Sequence, residues 1–205
     1  MFDSLAVTII YILGSYIIGS IPSGLLVGKI WKGVDVRQEG SGRTGATNIL
    51  RTLGFKAALI VTLMDLSKGF LTVYLYGSIG ETSIQVIGAF AVLLGHIWPI
   101  FAGFKGGRGV MPAIGISIGI VPISGVIGVT IGALIIIIWR YVSLGSLIGT
   151  MAACSLVIIL STVGNEPKPF ALLAAAVCIL IIFTHRDNIQ RLRNGTELRF
   201  KNSSS

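Results

Sequence analysis

The sequence predicts an all-α integral membrane protein, a seven-transmembrane-helix bundle. The mean hydropathy of the 205 residues is +0.89 and only 12% of them are charged, whereas soluble domains carry roughly a quarter charged residues. Apolar runs of about 20 residues, long enough to cross a hydrocarbon core of about 30 Å, alternate with short polar links. These observations predict a single membrane-embedded domain over residues 1–205.

Each predicted span is an apolar stretch bounded by charged residues, prolines or glycines. The first has Asp3 where a cleaved signal peptide would have basic residues, so we expect it to remain in the mature protein. The fourth is short and could instead fuse with the fifth across Pro122, giving six spans. The candidates cover residues 4–30, 55–77, 82–104, 110–121, 123–139, 142–162 and 169–184.

The basic residues favour seven spans over six. With the N-terminus outside and the C-terminus cytoplasmic, Lys168 alone of the 16 Lys and Arg falls on the outer side, and Lys68 lies within a span. Fusing the fourth and fifth spans would move Arg140 and the basic tail outside. The motif loops, at about 32–54, 104–109 and 185–200, are then all cytoplasmic.

Small residues and one charge pair are expected to hold the spans together. Asp65 and Lys68 are three residues apart in the second span, so a helix brings them onto one face, where they can pair; a functional role is the alternative. Cys154 and Cys178 are isolated in apolar stretches and are predicted to be core residues, without a disulfide or metal site. Close helix packing is predicted at Gly24-xxx-Gly28, Gly115-xxx-Gly119 and Gly128-xxx-Gly132.

The first polar stretch, EGSGRTGATNILRTLG, covers residues 39–54. Its glycine spacing matches a dinucleotide fingerprint, but it follows a membrane span instead of a strand, which excludes that fold. Successive glycines can turn backbone amides toward an anion, and Arg51 can clamp it. The alternative is a flexible loop held at the lipid headgroups. The hydrogen-bonding candidates are Ser41, Thr47 and Asn48.

The second stretch, GHIWPIFAGFKGGRGV, covers residues 95–110. Lys105 and Arg108 bracket Gly106 and Gly107, and the next helix begins nearby, so cations, exposed amides and a helix dipole would suit a leaving phosphate. A basic anchor loop would explain the charges but not the paired glycines. His96 is either a structural residue or a base.

The third stretch, THRDNIQRLRNGTELRF, covers residues 184–200. Its charged residues are typical of a solvated tail, but Asn188 and Arg191 share one helical face and could fold back under the other loops. All three stretches lie on the predicted inner side. This favours an enzyme at one interface over a carrier, which should line a path across the membrane. The basic residues lie beside spans, which favours lipid or a phosphorylated substrate over nucleic acid.

Several catalytic signatures are missing from the sequence. There is no GxSxG or HExxH motif, and the residues five positions after the two histidines are Phe101 and Gln190 instead of Asp. An acyl-enzyme and the His/Asp dyad of common glycerolipid acyltransferases are therefore not expected. An acyl donor would have to arrive already activated.

The stretches GSGRTGATNILRTLG, GHIWPIFAGFKGGRGV and HRDNIQRLRNGTE resemble, in order and spacing, the three motifs of the bacterial acyl-phosphate:glycerol-3-phosphate acyltransferases, the PlsY family. The resemblance covers essentially the whole chain. It implies a multi-pass enzyme of the bacterial cytoplasmic membrane that acylates the 1-hydroxyl of glycerol 3-phosphate from acyl phosphate, giving lysophosphatidic acid. It further implies no cofactor, with membrane lipid and the soluble enzyme that makes acyl phosphate as partners.

The resemblance also implies residue roles. It places Ser41, Arg51, Lys105 and His96 in catalysis. The chain departs from the family pattern at Arg43 and Thr44, at Arg108, where Lys is usual, and at Met111–Pro112. The alternatives are a carrier or binding protein for a phosphorylated metabolite, or an acyl-CoA-dependent acyltransferase. The residues implied in substrate binding are Gly40, Gly42, Arg43, Thr47, Asn48, Lys105, Gly106, Gly107, Arg108, Arg186, Asn188 and Glu197.

Overall fold

The computed structural model describes residues 4–77 and 82–200. Within these ranges the regular structure is helical, as predicted, and it falls into two compact units that divide between Ile120 and Val121. The first unit contains α1 (Ser4–Ser20), α2 (Ser23–Lys32), α3 (Ala46–Leu53), α4 (Phe55–Gly77), α5 (Thr82–Ile97) and α6 (Val110–Ile120). The second contains α7 (Pro122–Trp139), α8 (Val142–Thr162), α9 (Lys168–Thr184) and α10 (Arg186–Arg193).

Five helical segments of the described ranges are long and apolar enough to cross a membrane: Leu5–Lys32, Phe55–Gly77, Thr82–Ala102, Pro122–Trp139 and Val142–Thr162. The pair α9 and α10, bent by 59°, makes a sixth if it is counted as one span. Helix α6 has 11 residues and at 1.5 Å per residue is about 16 Å long, roughly half of a hydrocarbon core. The seven-span count therefore stays a prediction.

The predicted first span is broken at Pro22. Helix α1 ends at Ser20 and α2 begins at Ser23, because proline has no N–H to continue the hydrogen-bond ladder. The carbonyl of Ile21, at the break, accepts a hydrogen bond from the ammonium group of Lys68 on α4 at 2.6 Å. A buried cation on one helix thus stabilises the break in another.

Glycines set close helix contacts in each unit, as predicted for the pairs on α6 and α7. The predicted pair Gly24 and Gly28 on α2 instead packs against Thr44 and Val36 of the first loop. A Cβ at Gly115 on α6 would collide with the carbonyl of Leu66 on α4. In the second unit, a Cβ at Gly132 on α7 would lie 2.9 Å from the carbonyl of Gly145 on α8. Because any side chain would push these helices apart, the glycines let the backbones pack directly. Both cysteines are free thiols, buried at Cys154 and half-buried at Cys178.

Candidate active site

The first polar loop folds around the side chain of Asn48, which is 2% exposed. Its Nδ2 lies 2.9 Å from the carbonyl of Val36, 3.1 Å from that of Glu39 and 2.9 Å from that of Arg43. Its Oδ1 accepts the backbone N–H of Ser41 at 2.8 Å. The sequence predicts Asn48 as a ligand-binding residue, but both ends of its amide are bonded within the loop. In this structure Asn48 shapes the loop.

The glycines of this loop adopt left-handed conformations, with φ of 56° at Gly40 and 70° at Gly42. The following amides are bonded internally: Ser41 donates to Asn48, and Gly42 donates to the carbonyl of Glu39 at 3.0 Å. A Cβ at Gly40 would collide with Oδ1 of Asn48. The amides of Ser41 and Gly42 therefore do not form the predicted anion nest; the glycines serve the turn and the close approach to Asn48.

The glycine pair of the second loop packs against the C-terminal end of α5. Gly106 donates its N–H to the carbonyl of Ile97 and Gly107 donates to that of His96, each at 3.2 Å. A Cβ at Gly106 would collide with the His96 carbonyl, and one at Gly107 with Nε2 of the imidazole. The amides predicted to face a phosphate are therefore bonded to α5, and the glycines are needed for contact with His96.

The two loops meet at a glycine contact. Gly45 is the N-cap of α3, and a Cβ built on it would lie 4.0 Å from the Cα of Gly107. No side chain caps this end of α3 with a hydrogen bond, so the first amides of the helix and its positive dipole end lie beside the second loop. Helix α6 begins three residues after Gly107, at Val110. Each of the two glycines in this contact is therefore followed, within three residues, by the start of a helix.

Arg37 joins the two loops, a role that nothing in the sequence beyond its charge indicates. Its guanidinium donates to the carbonyl of Ala102 at 3.1 Å and to the carboxylate of Asp35, with Nη2 and Oδ2 2.7 Å apart. The hydrogen bonds from Arg37 lower the pKa of Asp35 from 3.8 to about 2. Because it reaches across both loops, Arg37 positions them without being left for a ligand.

Three cations of these loops are not neutralised by an acidic side chain within residues 4–77 and 82–200: Arg43, Arg51 and Lys105. Arg51 and Lys105 are exposed and Arg43 is half-buried. Arg51 lies four residues after Thr47 on α3, so the two share a face. Ser41 is also exposed. Arg108, two residues before α6, is half-buried.

The predicted ion pair in the second span is confirmed, since Nζ of Lys68 lies 2.8 Å from Oδ1 of Asp65. The same carboxylate oxygen lies 3.5 Å from Nδ1 of His96 on α5. All three side chains are buried, with exposed fractions of 2% for Asp65, 6% for Lys68 and 7% for His96. This acidic neighbour of His96 could not be predicted, because it comes from another helix and not from a fixed spacing along the chain.

In the second unit, the carboxylate of Glu197 accepts the side-chain hydrogen bonds of the third stretch. Its Oε1 accepts from Asn188 and from Ser143, each at 2.7 Å, and its Oε2 accepts from Arg191 at 2.8 Å. Burial alone would raise the pKa of Glu197, but these bonds together lower it below 4.5. Asn188 and Arg191 therefore share one face of α10, as predicted, and Ser143 is a partner that the sequence did not indicate.

Arg186 lies apart from the Glu197 cluster. Its guanidinium stacks over the ring of Phe183, 4.8 Å from the centroid, and lies 3.7 Å from Asp187. The side chain is 67% exposed. Arg186 and Phe183 border an open groove of about 540 Å³, which is also lined by Ile182, Ile189, Gln190, Arg193 and Asn194.

These features define a helical membrane protein with a polar site of uncompensated cations and helix N-termini, a combination that suits a phosphorylated ligand. A family profile described as glycerol-3-phosphate acyltransferase matches residues 9–195. The chain belongs to the glycerol-3-phosphate acyltransferase family.

The relatives are similar over nearly their full length. The chain is 38% identical to the glycerol-3-phosphate acyltransferase of Chlorobaculum tepidum, covering 92% of this chain and 94% of the relative. It is 41% identical to that of Geotalea daltonii, covering 94% and 97%. A crystal structure of PlsY, an integral membrane glycerol 3-phosphate acyltransferase in its glycerol 3-phosphate form, has a TM-score of 0.86 at 36% identity, covering 95% of this chain and 96% of that one.

Proposed function

We propose that this chain transfers an acyl group from acyl phosphate to the 1-hydroxyl of glycerol 3-phosphate, giving 1-acylglycerol 3-phosphate and inorganic phosphate. The observation that carries the proposal is the set of uncompensated cations, Arg43, Arg51 and Lys105, on the two loops that meet at Gly45 and Gly107. Both substrates carry a phosphate, so a site with several free cations is what this reaction requires.

The solved relatives support the acceptor and the product. PlsY was crystallised in a glycerol 3-phosphate form and in a lysophosphatidic acid form, and this chain is 36% identical to both over 95% of its length. We assign the same acceptor and product to this chain. The chain has no signature of covalent acyl-enzyme chemistry, so the acyl group must arrive with a good leaving group. We assign acyl phosphate as that donor because the three motifs resemble those of the PlsY family.

The reaction needs positioning and charge neutralisation more than a covalent intermediate. The glycerol hydroxyl oxygen attacks the carbonyl carbon of the mixed anhydride, and the bond between that carbon and the phosphate oxygen breaks. Phosphate leaves with the electron pair, and Lys105 and Arg51 stabilise its negative charge. The hydroxyl proton passes to a substrate phosphate oxygen.

The membrane arrangement follows from the charges. We place the enzyme in the bacterial cytoplasmic membrane as one catalytic domain, with its N-terminus outside and seven crossings, so that the motif loops face the cytoplasm, where glycerol 3-phosphate is available. Acyl phosphate is made by a soluble enzyme, which would meet the same face, and the product leaves into membrane lipid.

The test is turnover by the purified chain in a lipid mesophase with labelled glycerol 3-phosphate. Acyl phosphate, acyl-CoA and acyl carrier protein loaded with the same acyl chain are offered separately. We expect labelled lysophosphatidic acid from acyl phosphate alone. Product from acyl-CoA alone would show that acyl-CoA, and not acyl phosphate, is the donor. Uptake of glycerol 3-phosphate into proteoliposomes without any acylated product would instead show a carrier.

A further inference from the structure

One face of α9 carries an exposed apolar stripe. Leu172, Ile179 and Phe183 are all exposed, and because they are spaced by seven and then four residues they follow a single face of the helix. From Leu172 to Phe183 the helix rises about 16 Å at 1.5 Å per residue, which is about half of a hydrocarbon core. The stripe therefore has about the depth of one lipid leaflet.

The stripe ends at the open groove, where α9 bends by 59° into α10. Phe183 belongs to both, so the apolar lining of the groove continues the stripe. On the α10 side the groove is lined by Arg186 and Arg193. These two residues are seven positions apart, about two helical turns, so they lie on one face of α10. The groove thus joins an apolar surface of leaflet depth to a pair of cations.

The charge of this arginine pair is only partly compensated. Asp187 neutralises Arg186 in part, because the two side chains are 3.7 Å apart and both are exposed. No ion pair to Arg193 is found among the described residues. The stacking of the Arg186 guanidinium over Phe183, 4.8 Å from the ring centroid, places this cation directly at the end of the apolar stripe.

Packing of α10 does not require the arginine pair. The helix is attached through its other face, where Asn188 and Arg191 donate to the carboxylate of Glu197. Basic residues near the end of a span also orient it in the membrane, but orientation does not depend on which helix face carries them. The position of Arg186 and Arg193 beside an apolar groove therefore calls for a ligand that is anionic at one end and apolar at the other.

We propose that this groove binds one anionic phospholipid, with its acyl chains along the α9 stripe and its phosphate against Arg186 and Arg193. Guanidinium groups bind phosphate through paired N–H donors. A zwitterionic lipid carries the same phosphate, but its ammonium group is repelled by the same two cations. The bound lipid restrains α10 from the face opposite Glu197. The proposal does not depend on acyl transfer.

The test is thermal unfolding of the purified chain in a neutral detergent, titrated with phosphatidylglycerol or with phosphatidylcholine of the same acyl chains. We expect saturating phosphatidylglycerol to raise the melting temperature by about 5 °C, and phosphatidylcholine to have little effect. In the double variant Arg186→Gln and Arg193→Gln we expect the affinity for phosphatidylglycerol to fall about 30-fold, or about fivefold per arginine. Both side chains are exposed, so the melting temperature without lipid should stay close to that of the parent.

The matched control is the double variant Lys29→Gln and Lys32→Gln. It removes two exposed cations from the last turn of α2, so the net charge changes equally, and we expect its response to phosphatidylglycerol to be parental. An equal loss in the two double variants would overturn the proposal, because net charge alone would then attract the lipid. An equal response of the parent to both lipids would also overturn it.

A second copy of the chain is the other occupant that the same variants can reveal. Light scattering measures the mass of the parent and of the double variant at Arg186 and Arg193. We expect the same mass for both. A parent that is dimeric and becomes monomeric in this variant would overturn the lipid proposal, because the groove would then be an interface between copies.

A fluorophore at the end of the groove locates the lipid. We place it on Asn194→Cys in a background of Cys154→Ala and Cys178→Ala, and quench it with nitroxide-labelled phosphatidylglycerol or phosphatidylcholine. We expect quenching by phosphatidylglycerol to saturate at a low lipid fraction. A fluorophore on Ile137→Cys, on the exposed face of α7, should be quenched equally by both lipids. Equal quenching at Asn194→Cys as well would show ordinary surrounding lipid and would refute the site.

Discussion

At the scale of single residues, the polar side chains of the two loops divide by where their bonds go. Asn48 and Arg37 bond to the backbone of the loops and fix their course. Arg43, Arg51 and Lys105 have no acidic partner in the part of the chain that the structure describes. The first group sets the shape of the site, and the second provides its charge.

Removing a cation of the second group should reduce transfer without unfolding the chain. For Arg51→Ala and Lys105→Ala we expect kcat/KM to fall by about 100-fold or more, since each change removes a donor that would face developing phosphate charge. Both side chains are exposed, so melting temperatures should stay close to that of the parent. Turnover with acyl phosphate and thermal unfolding in detergent measure the two effects.

Lys56→Ala is the control for this pair. Lys56 is an exposed cation at the start of α4 on the same predicted side of the membrane, so its loss changes the net charge equally. We expect its kcat/KM to be parental. If Arg51→Ala and Lys105→Ala were also fully active while folded, the phosphate-site interpretation of these loops would be incorrect.

At the scale of elements, the segment after α10 is attached to the α7–α8 junction by several bonds. Glu197 accepts from Ser143, the N–H of Phe200 donates to the carbonyl of Arg140 at 2.6 Å, and Arg199 lies over the ring of Tyr141. The buried carboxylate is the centre of this attachment. The attachment should therefore depend on the ionisation of Glu197.

Acid should release this segment. The bonds to Glu197 lower its pKa in the folded protein below 4.5, so the stabilisation is present at neutral pH and is lost as the pH falls below 4.5 and through the folded pKa. A spin label on Leu198→Cys, in a background of Cys154→Ala and Cys178→Ala, should be immobile at pH 7 and mobile at the acid end of that range.

Glu197→Gln should show the mobile state already at pH 7, because the amide cannot replace the carboxylate as an acceptor for Arg191 and for both neutral donors. Glu166→Gln serves as the control, since no ion pair or side-chain hydrogen bond to Glu166 is found among the described residues. A label that stays immobile in Glu197→Gln would show that Arg140 and Tyr141 suffice to hold the segment.

The helices could largely be predicted from the sequence, but the positions at which they break could be predicted only in part. The boundaries of α4, at Phe55 and Gly77, match the predicted span. A long apolar run with polar ends can cross the membrane only as one helix over its whole length. The length of helix α6 was harder to predict. Its composition is that of a membrane span, but the helix is only 11 residues long because it lies between Gly109 and Pro122. Hydropathy predicts whether a segment is apolar enough to lie in the membrane, but it does not predict the length of the helix.

The site shows the same division between local and long-range information. The Asp65–Lys68 pair could be predicted, since the partners are one helical turn apart. The contact of Asp65 with His96, and the Ser143–Glu197 bond, join residues 31 and 54 positions apart, and no spacing in the sequence indicates either. Gly106 and Gly107 predict exposed amides because they are flanked by two cations, but in the structure the two glycines serve contact with His96.

At the scale of the whole molecule, we predict that the chain crosses the membrane seven times. Single cysteines at Lys56, Ile123, Asn165 and Asn194, in the background without native cysteines, would report it by labelling intact cells with a reagent that does not cross the membrane. Seven crossings predict labelling at positions 123 and 165 only. Lysed cells, in which all four positions should react, provide the control.

If α6 does not cross, the chain after it is inverted. Position 194 would then be labelled in intact cells and positions 123 and 165 would be protected. That result would place Arg140 and the third stretch outside and would refute the proposed cytoplasmic site of all three stretches. Membership of the family would be unaffected, because it does not depend on orientation.

The contact of Gly106 and Gly107 with His96 also bears on inhibition and resistance. A compound that binds on the second loop lies next to two buried glycines at which any side chain would collide with the His96 carbonyl or ring. Substitution there would disturb the loop that carries Lys105, which the proposed reaction uses. A cell could not easily escape such a compound by changing its contact surface, so resistance should arise elsewhere, through altered expression or an alternative acylation route.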